Sequence, residues 1–252
     1  MYLNSEGIIF RQTKATGGRR MILLFTKKYG KISVGTSMSE KARTKSSLAM
    51  RPFTYGNYQI FQGRTYYNLD KADTIKSFYG IGEDLDKFMY GSYVLELTEK
   101  LVPEELAQPA IFDLLIEFME QLELRKKSCE TLVLAYEVRI LKILGMFPEL
   151  RSCVNCGVQE ELDYFSVRDG GIMCGKCAEK LRSEGEDSLI YDGKFGIVDI
   201  LNYFASNSLG SFSRIALDDG IADRLQVIIK EYISYHLDVG NLKSESLFAK
   251  NI

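Results

Sequence analysis

The sequence predicts an α+β multidomain protein in which an N-terminal β-barrel is followed by a C-terminal helical domain with an inserted cysteine-rich segment. Roughly the first 75 of the 252 residues contain five short, mostly apolar runs divided by glycine-containing turns. From Asp84 onward the apolar residues recur at steps of three and four, as in amphipathic helices. Four closely spaced cysteines then interrupt the helical pattern.

The predicted strands are residues 7–10, 20–26, 31–34, 53–62 and 64–69. Five short strands joined by turns are typical of a small barrel. Residues 36–51, between the third and fourth strands, are rich in Ser, Lys and Arg and contain few large apolar side chains. We therefore expect this segment to be an exposed, mobile loop.

The helical part begins with a periodic segment from Asp84, and Pro109 suits the first turn of a second helix. Residues 132–147 are apolar almost throughout, which predicts a central helix ended by Gly145 and Pro148. Two further helices are expected at 195–204 and 221–237. The predicted domains are 1–78 for the barrel, 79–149 and 181–252 for the helical domain, and 150–180 for the insertion.

The cysteines form two CxxC pairs, Cys153 with Cys156 and Cys174 with Cys177, with 17 residues between the pairs. Each pair places two thiolates on one tight turn, so two pairs can complete a tetrahedron around a metal ion. Four thiolates leave no open coordination position, which predicts one structural Zn²⁺ per chain in a zinc ribbon. An iron–sulfur centre, redox-active dithiols and a degenerate site are the alternatives.

Several other patterns are read as structural. Residues 170–176 fit GxxxxGK, but Cys177 follows where a phosphate-binding loop needs Ser or Thr, so a nucleotide site is rejected. The fifth cysteine, Cys129, is expected in the core of an apolar helix. His236 is the only histidine of the chain, which argues against catalytic triads and His-rich metal sites. Gly157 and Gly175 lie beside cysteines, where a positive φ would help a tight turn.

Charge is distributed unevenly along the chain. Residues 1–51 contain eleven Lys or Arg but only the acids Glu6 and Glu40, which gives a net charge of +9 within a chain of net charge −2. A basic segment on an acidic body suggests that the N-terminal part binds a polyanion. A basic surface that is merely solvated is the alternative.

Taken in order, the motifs resemble the RecO family of bacterial DNA repair and recombination mediator proteins. The resemblance spans nearly the whole chain and rests on GIIFR (7–11), FTKKYGK (25–31), RPF (51–53), Tyr90 with YVLEL (93–97), LGMFPEL (144–150), FSV (165–167), GG (170–171) with Cys174, YHL (235–237) and LKS (242–244). Residues 16–20 and 39–45 depart from the family pattern but remain basic.

The resemblance implies an N-terminal OB-fold barrel, a helical domain and a zinc ribbon. It also implies binding to single- and double-stranded DNA, annealing of complementary strands, and help in loading RecA onto strands covered by single-strand-binding protein. RecR and the acidic C-terminal tail of single-strand-binding protein are the implied protein partners. For that tail we consider Arg139 and Lys142 on the central helix.

The residues predicted to contact DNA are the basic side chains Arg19, Arg20, Lys27, Lys28, Lys31, Lys41, Arg43, Lys45 and Arg51. Such contacts to phosphate should be sequence-tolerant and salt-sensitive. Phe53, Tyr55 and Tyr58 could stack on bases or could belong to the barrel core.

Two other functions compete with this reading. One is a zinc-ribbon adaptor that acts mainly on RNA or protein. The other is a nuclease, which would need clustered carboxylates for two metal ions, whereas residues 1–51 offer only Glu6 and Glu40. We therefore expect no catalytic site. No apolar run is long enough to span a membrane and no signal peptide begins the chain, so a cytoplasmic, nucleoid-associated protein is expected.

Overall fold

The computed structural model describes residues 1–14, 20–37, 45–185, 189–193, 196–212 and 215–248. They form two compact units, one containing residues 1–125 with the C-terminal segment from 241, and the other containing residues 126–240. The residue ranges predicted for the domains stay predictions. In the part of the chain that is described, every helix is too short or too polar to cross a membrane.

The first unit contains a closed five-stranded barrel with strand order β1-β2-β3-β5-β4. Its strands are β1 (Tyr2–Lys14), β2 (Arg20–Thr26), β3 (Gly30–Thr36), β4 (Thr54–Gln62) and β5 (Tyr67–Ser77). All neighbouring strands are antiparallel except β3 and β5, which pair in parallel. This is the OB-like barrel that was predicted, and its interior is filled by apolar side chains such as Ile22, Val34 and Ile60.

The segment before β4 differs from the predicted exposed loop where the structure describes it, and residues 38–44 lie outside the described residues. Residues 45–51 include a short helix, α1 (Lys45–Leu48), and the following Ala49 and Met50 are fully buried in the barrel core. The Tyr58 hydroxyl donates a hydrogen bond of 2.7 Å to the Ala49 carbonyl. The expectation of an exposed loop is wrong for this stretch, because two apolar residues among many polar ones are enough to anchor it.

Three helices and the C-terminal segment complete the first unit. The helices are α2 (Tyr79–Glu83), α3 (Leu85–Leu101) and α4 (Pro109–Leu124), and the segment ends in the short helix α9 (Glu245–Phe248). Asp84 caps α3 by accepting a hydrogen bond from the Lys87 N–H, and Pro109 occupies the first turn of α4 as predicted.

The second unit is built around α5 (Cys129–Ile143), which is buried along nearly its whole length. Gly145, with a φ of +73°, ends this helix a few residues earlier than predicted. A three-stranded sheet of order β7-β6-β8 follows, then two further helices. The elements are β6 (Tyr164–Ser166), β7 (Gly171–Met173), α6 (Gly175–Ser183), β8 (Ile190–Asp192), α7 (Ile197–Ser206) and α8 (Asp219–Leu237).

Candidate functional site

The first cysteine pair lies on a tight turn before the small sheet. The Cys153 N–H donates to the Val158 carbonyl at 2.7 Å, and the Gly157 N–H donates to the Cys153 carbonyl at 2.8 Å. Gly157 has a φ of +78°, which an L side chain rarely adopts. These backbone bonds place the Cys153 and Cys156 side chains on the same knuckle, as the sequence predicts.

The second pair uses a different device. Cys174 precedes the first residue of α6 and Cys177 lies in the first turn of that helix. Helix N-termini carry partial positive charge, which favours thiolates over thiols. Gly175 is the first residue of α6 and does not have a positive φ. The predicted left-handed turn at this glycine is therefore wrong. The CxxC spacing could not distinguish a helical knuckle from a turn.

The four cysteine Sγ atoms all lie within 4.8 Å of one another. The Cys156 and Cys174 Sγ atoms are 3.7 Å apart. A tetrahedral Zn²⁺ with Zn–S bonds of ~2.3 Å requires sulfur atoms about 3.8 Å apart. The donor set therefore fits one four-coordinate metal ion with no position left for substrate.

The protonation of these thiols also favours a cation. Burial raises the pKa of the Cys153 thiol, but hydrogen bonds from the Cys174, Cys156 and Asn155 backbone outweigh burial and bring the pKa to about 6. Burial and hydrogen bonds among neighbouring thiols raise the pKa of Cys177. Four thiolates this close repel one another, so a bound cation is what allows all of them to ionise together.

The cysteine ribbon, which we define as residues 150–192, has a small core and is anchored to the helix α8. Met173, Ala178 and Leu181 are buried with Cys153 and Cys174. The apolar residues 164–167 and 170–173, whose sequence predicts a hairpin between the cysteine pairs, form β6 paired with β7, whereas α6 and β8 lacked a clear periodic signal and were missed.

The anchor lies on α8. His236 Nε2 is 2.6 Å from the Val167 carbonyl oxygen beside the ribbon hairpin, and the imidazole packs on Tyr232 with ring centroids 4.3 Å apart. The only histidine of the chain is therefore a half-buried residue near a helix end that holds the ribbon to α8.

The predicted DNA-contacting residues fall into two groups on the barrel, and three of them surround the β2–β3 turn. Lys28 is exposed, whereas Lys27 forms an ion pair of 2.7 Å with Asp113. That hydrogen-bonded carboxylate raises the pKa of Lys27. Lys31 donates to the Glu99 carbonyl at 2.8 Å, so its ammonium group ties the barrel to α3.

The second group lies at the other end of β2. Arg20 donates to the Gln12 side chain at 3.3 Å, and the Gln12 amide donates to the Met50 carbonyl, next to the exposed Arg51. A strand of seven residues spans about 20 Å, so Arg20 and Lys27 are separated by roughly that length. The two groups do not form one compact patch. They could contact successive phosphates of a DNA strand that lies along the barrel.

Four of the predicted basic residues cannot be placed in this way. Arg19, Lys41 and Arg43 lie outside the described residues. Lys45 begins α1, but its side chain is not among those described. The DNA contacts predicted for all nine basic residues stay predictions.

Comparison with known families decides the wider identity. The family model described as "Recombination protein O N terminal" matches residues 1–78, and that described as "Recombination protein O C terminal" matches residues 82–246. The chain belongs to the RecO family. The resemblance inferred from the ordered motifs is thereby confirmed.

Similar proteins match most or nearly all of the chain. A DNA repair protein RecO from Alkaliphilus metalliredigens is 27% identical over 251 residues, which is 99% of this chain and 100% of that protein. One from Caldanaerobacter subterraneus is 28% identical over 99% of this chain and 98% of its own. One from Bacillus pumilus is 33% identical over 71% of this chain and 70% of its own.

In this RecO-family chain, the three aromatic residues considered for stacking on bases are not positioned to do so. Phe53 and Tyr58 are buried, at 6% and 1% exposure. The Tyr55 hydroxyl donates to Glu6 at 2.6 Å and its ring packs toward Phe112. Burial, then the Glu6 carboxylate, raises the Tyr55 pKa, so this side chain stays a neutral donor. Of the two roles considered, these aromatics take the core role.

A different aromatic group was missed. Tyr2 and Tyr66 are 57% and 56% exposed, and both rings contact Phe61 on the outer face of the barrel. The sequence signal was present, because Tyr2 and Phe61 alternate with the buried Leu3 and Ile60. Pairing between β1 and β4 was needed to bring them together.

Arg139 and Lys142, considered for an acidic tail, have structural partners in the second unit. Arg139 donates to the Asn207 carbonyl and Lys142 donates to the Ala205 carbonyl at 2.9 Å. Both cations therefore bind the C-terminal end of α7, where the helix dipole favours positive charge.

Proposed function

We propose that this protein is a DNA repair and homologous recombination mediator that binds single- and double-stranded DNA, anneals complementary strands and helps load RecA onto strands covered by single-strand-binding protein. Membership of the RecO family across nearly the whole chain carries this proposal. The OB-like barrel supports it, because such barrels commonly bind oligonucleotides.

The two basic groups on the barrel would act on phosphates. Lys28 and Arg51 are exposed, and each phosphate that they neutralise releases condensed counterions. Neutralising two strands together lowers their mutual repulsion and so favours annealing. Because phosphate contacts carry no sequence information, the binding should be sequence-tolerant.

The bound metal would be one structural Zn²⁺ held by Cys153, Cys156, Cys174 and Cys177. Its contribution is to hold the ribbon folded, since four thiolates leave no position for a reacting group. The proposed partners are RecR and the acidic C-terminal tail of single-strand-binding protein. The proposed location is the cytoplasm, in association with the nucleoid.

Annealing tests the proposal directly. Complementary strands coated with single-strand-binding protein should anneal faster with this protein than without it. Equal rates would count against a mediator. Reversing the charge of Lys41, Arg43 and Lys45 together should weaken binding to all DNA sequences and flatten its salt dependence, and an unchanged slope would remove the loop from the interface.

The competing function is a zinc-ribbon nucleic-acid-binding adaptor that acts mainly on RNA or protein. RNA should then displace single-stranded DNA of equal length from the barrel. We also propose that the protein is not an enzyme. Incubation of labelled DNA with the protein and Mg²⁺ should leave the strands intact, and cleavage would contradict that proposal.

A further inference from the structure

The outer face of the barrel carries an unusual group of exposed aromatic rings. Tyr2 and Phe61 are paired residues of β1 and β4, with ring centroids 5.4 Å apart, and Tyr66 lies 6.5 Å from Phe61. More than half of each tyrosine is exposed to solvent. Clustered apolar rings on a surface usually mark a binding site.

A backbone hydrogen bond holds the loop that carries Tyr66. The Gly63 N–H donates to the Tyr66 carbonyl at 2.9 Å, which closes the loop between β4 and β5. A Cβ on Gly63 would lie 2.8 Å from the Tyr66 ring, so the missing side chain makes room for the tyrosine. The loop between strands 4 and 5 is one that OB-fold barrels use for oligonucleotides.

Farther along β1 and β4 lies a polar groove of about 340 Å³. Along the same face, Asn4 pairs with Gln59 and Glu6 pairs with Asn57, one step after Tyr2 and Phe61. These side chains, with Lys28, Lys71 and Asp73, line the groove. Amides and carboxylates match the donors and acceptors on base edges.

The charges of the groove indicate which part of a nucleic acid it accommodates. Glu6 and Asp73 repel phosphate, so the sugar–phosphate backbone is not expected inside the groove, whereas Lys28 and Lys71 can meet it at the sides. A duplex hides its base faces in the stack. Only an unpaired strand can offer bases to exposed rings.

We infer that this outer face of β1 and β4 is a base-binding site for single-stranded DNA, where bases stack on Tyr2, Phe61 and Tyr66 and their edges reach the amide groove. The inference rests on the proposed DNA binding and assigns different roles to the basic and the aromatic residues. Lysines and arginines bind phosphates, and the aromatic face separates unpaired strands from duplexes.

The experiment compares wild type, Tyr2→Ala and Tyr66→Ala on an oligothymidine, an abasic strand of equal length and a duplex. Each substitution should weaken oligothymidine binding about 5- to 100-fold, the size expected from one lost stacking contact. Binding to the abasic strand and the duplex should stay within twofold, and the salt dependence should not change because no phosphate contact is lost.

Tyr79→Ala is the matched control, since Tyr79 is a 65% exposed tyrosine of the same unit on α2. It should bind oligothymidine like wild type. Gly63→Ala keeps all three rings but forces Tyr66 to move, so it should weaken oligothymidine binding as well. Thermal unfolding of each variant checks that the barrel stays folded.

Wild-type affinity in both tyrosine variants, or equal loss on the abasic strand, would overturn the inference while leaving the proposed DNA binding intact. Loss of binding to a protein partner with unchanged DNA affinity would also overturn it. If wild type bound neither strand, the proposed function would fail together with the inference.

Discussion

The barrel and the cysteine ribbon are held together by different physical means. Inside the barrel, a continuous cluster of buried side chains from all five strands fills the interior. Among the described residues of the ribbon, the buried cluster around the cysteines has five members, two of which are Cys153 and Cys174 themselves, and Phe165, Val167 and Ile172 are buried outside it. The barrel can thus fold by burying apolar surface, whereas we expect the ribbon to need a cation bound by its four cysteines.

This difference leads us to expect that the barrel carries the proposed DNA binding and that the ribbon has a structural role. A metal ion held by all four cysteines would have no open coordination position, so the role proposed for this site is to hold the fold. The barrel needs no metal, and its outer face remains available for exposed cations and rings. We therefore expect changes in one region to leave the other folded.

Removal of the metal should have the largest effect. Cys174→Ser should abolish high-affinity Zn²⁺ binding and unfold the ribbon, since metal binding contributes on the order of 10 kcal/mol to folding in small four-ligand sites. The barrel should keep its cooperative unfolding. Elemental analysis of the purified protein measures the metal, and limited proteolysis locates the unfolded segment.

Cys129→Ala is the control for this experiment. Cys129 is also buried but lies on α5 outside the cluster, so its substitution should leave the zinc content at one ion per chain. If wild type contained no zinc, or if the Cys174→Ser protein kept it, the four-thiolate site would be refuted.

The reverse experiment weakens the barrel and leaves the ribbon alone. Ile60 is fully buried in the barrel core, and Ile60→Ala should lower the free energy of unfolding by about 2–5 kcal/mol through lost burial and the resulting cavity. Zinc content should be unchanged. Urea denaturation measures the stability, and Ile75→Ala, at a 46% exposed position of β5, is the matched control with little expected loss. Simultaneous loss of zinc would show that the two regions do not fold independently.

The sequence predicted these two regions for different reasons. The two CxxC pairs between Cys153 and Cys177 predict that four thiols lie together, so the cysteine cluster was predicted without knowing the fold. The barrel was predicted from alternation and turns, which found β2 with its observed bounds, shortened β1, and placed the fifth strand at 64–69 although β5 is Tyr67–Ser77. Periodicity could not show that Ala49 and Met50 enter the core, because burial there depends on tertiary packing.

The candidate DNA site shows the same limit. Charge counting identified the basic residues, but it could not reveal that Lys31 is committed to the Glu99 carbonyl or that Lys27 pairs with Asp113. Aromatic residues were chosen by their position in a predicted strand. Tyr58 faces inward and Tyr2 faces outward, and only the pairing of strands shows which of them meets solvent.

The smallest expected effect concerns a segment that neither the barrel core nor the metal holds. The Glu96 carboxylate on α3 accepts hydrogen bonds from the backbone N–H groups of Lys243 and Ser244, at 3.0 and 2.8 Å, which anchors the C-terminal segment within the first unit. Burial raises the pKa of Glu96, but hydrogen bonding from Ser244 and Lys243 outweighs it and the net pKa is lowered. The unfolded chain therefore binds this proton more readily than the folded chain.

Stability from this contact is fully present above the ordinary carboxyl pKa of 4.5 and is lost as the pH falls through the lower folded value. Glu96→Gln should cost about 0.5–1.5 kcal/mol at neutral pH, because a charged acceptor is replaced by a neutral one at a partly exposed position. The difference from wild type should shrink below pH 4.5. Hydrogen exchange of the Lys243 and Ser244 amides at several pH values measures it directly. Equal protection in wild type and Glu96→Gln would mean that the buried Leu242 side chain, and not the carboxylate, holds the segment.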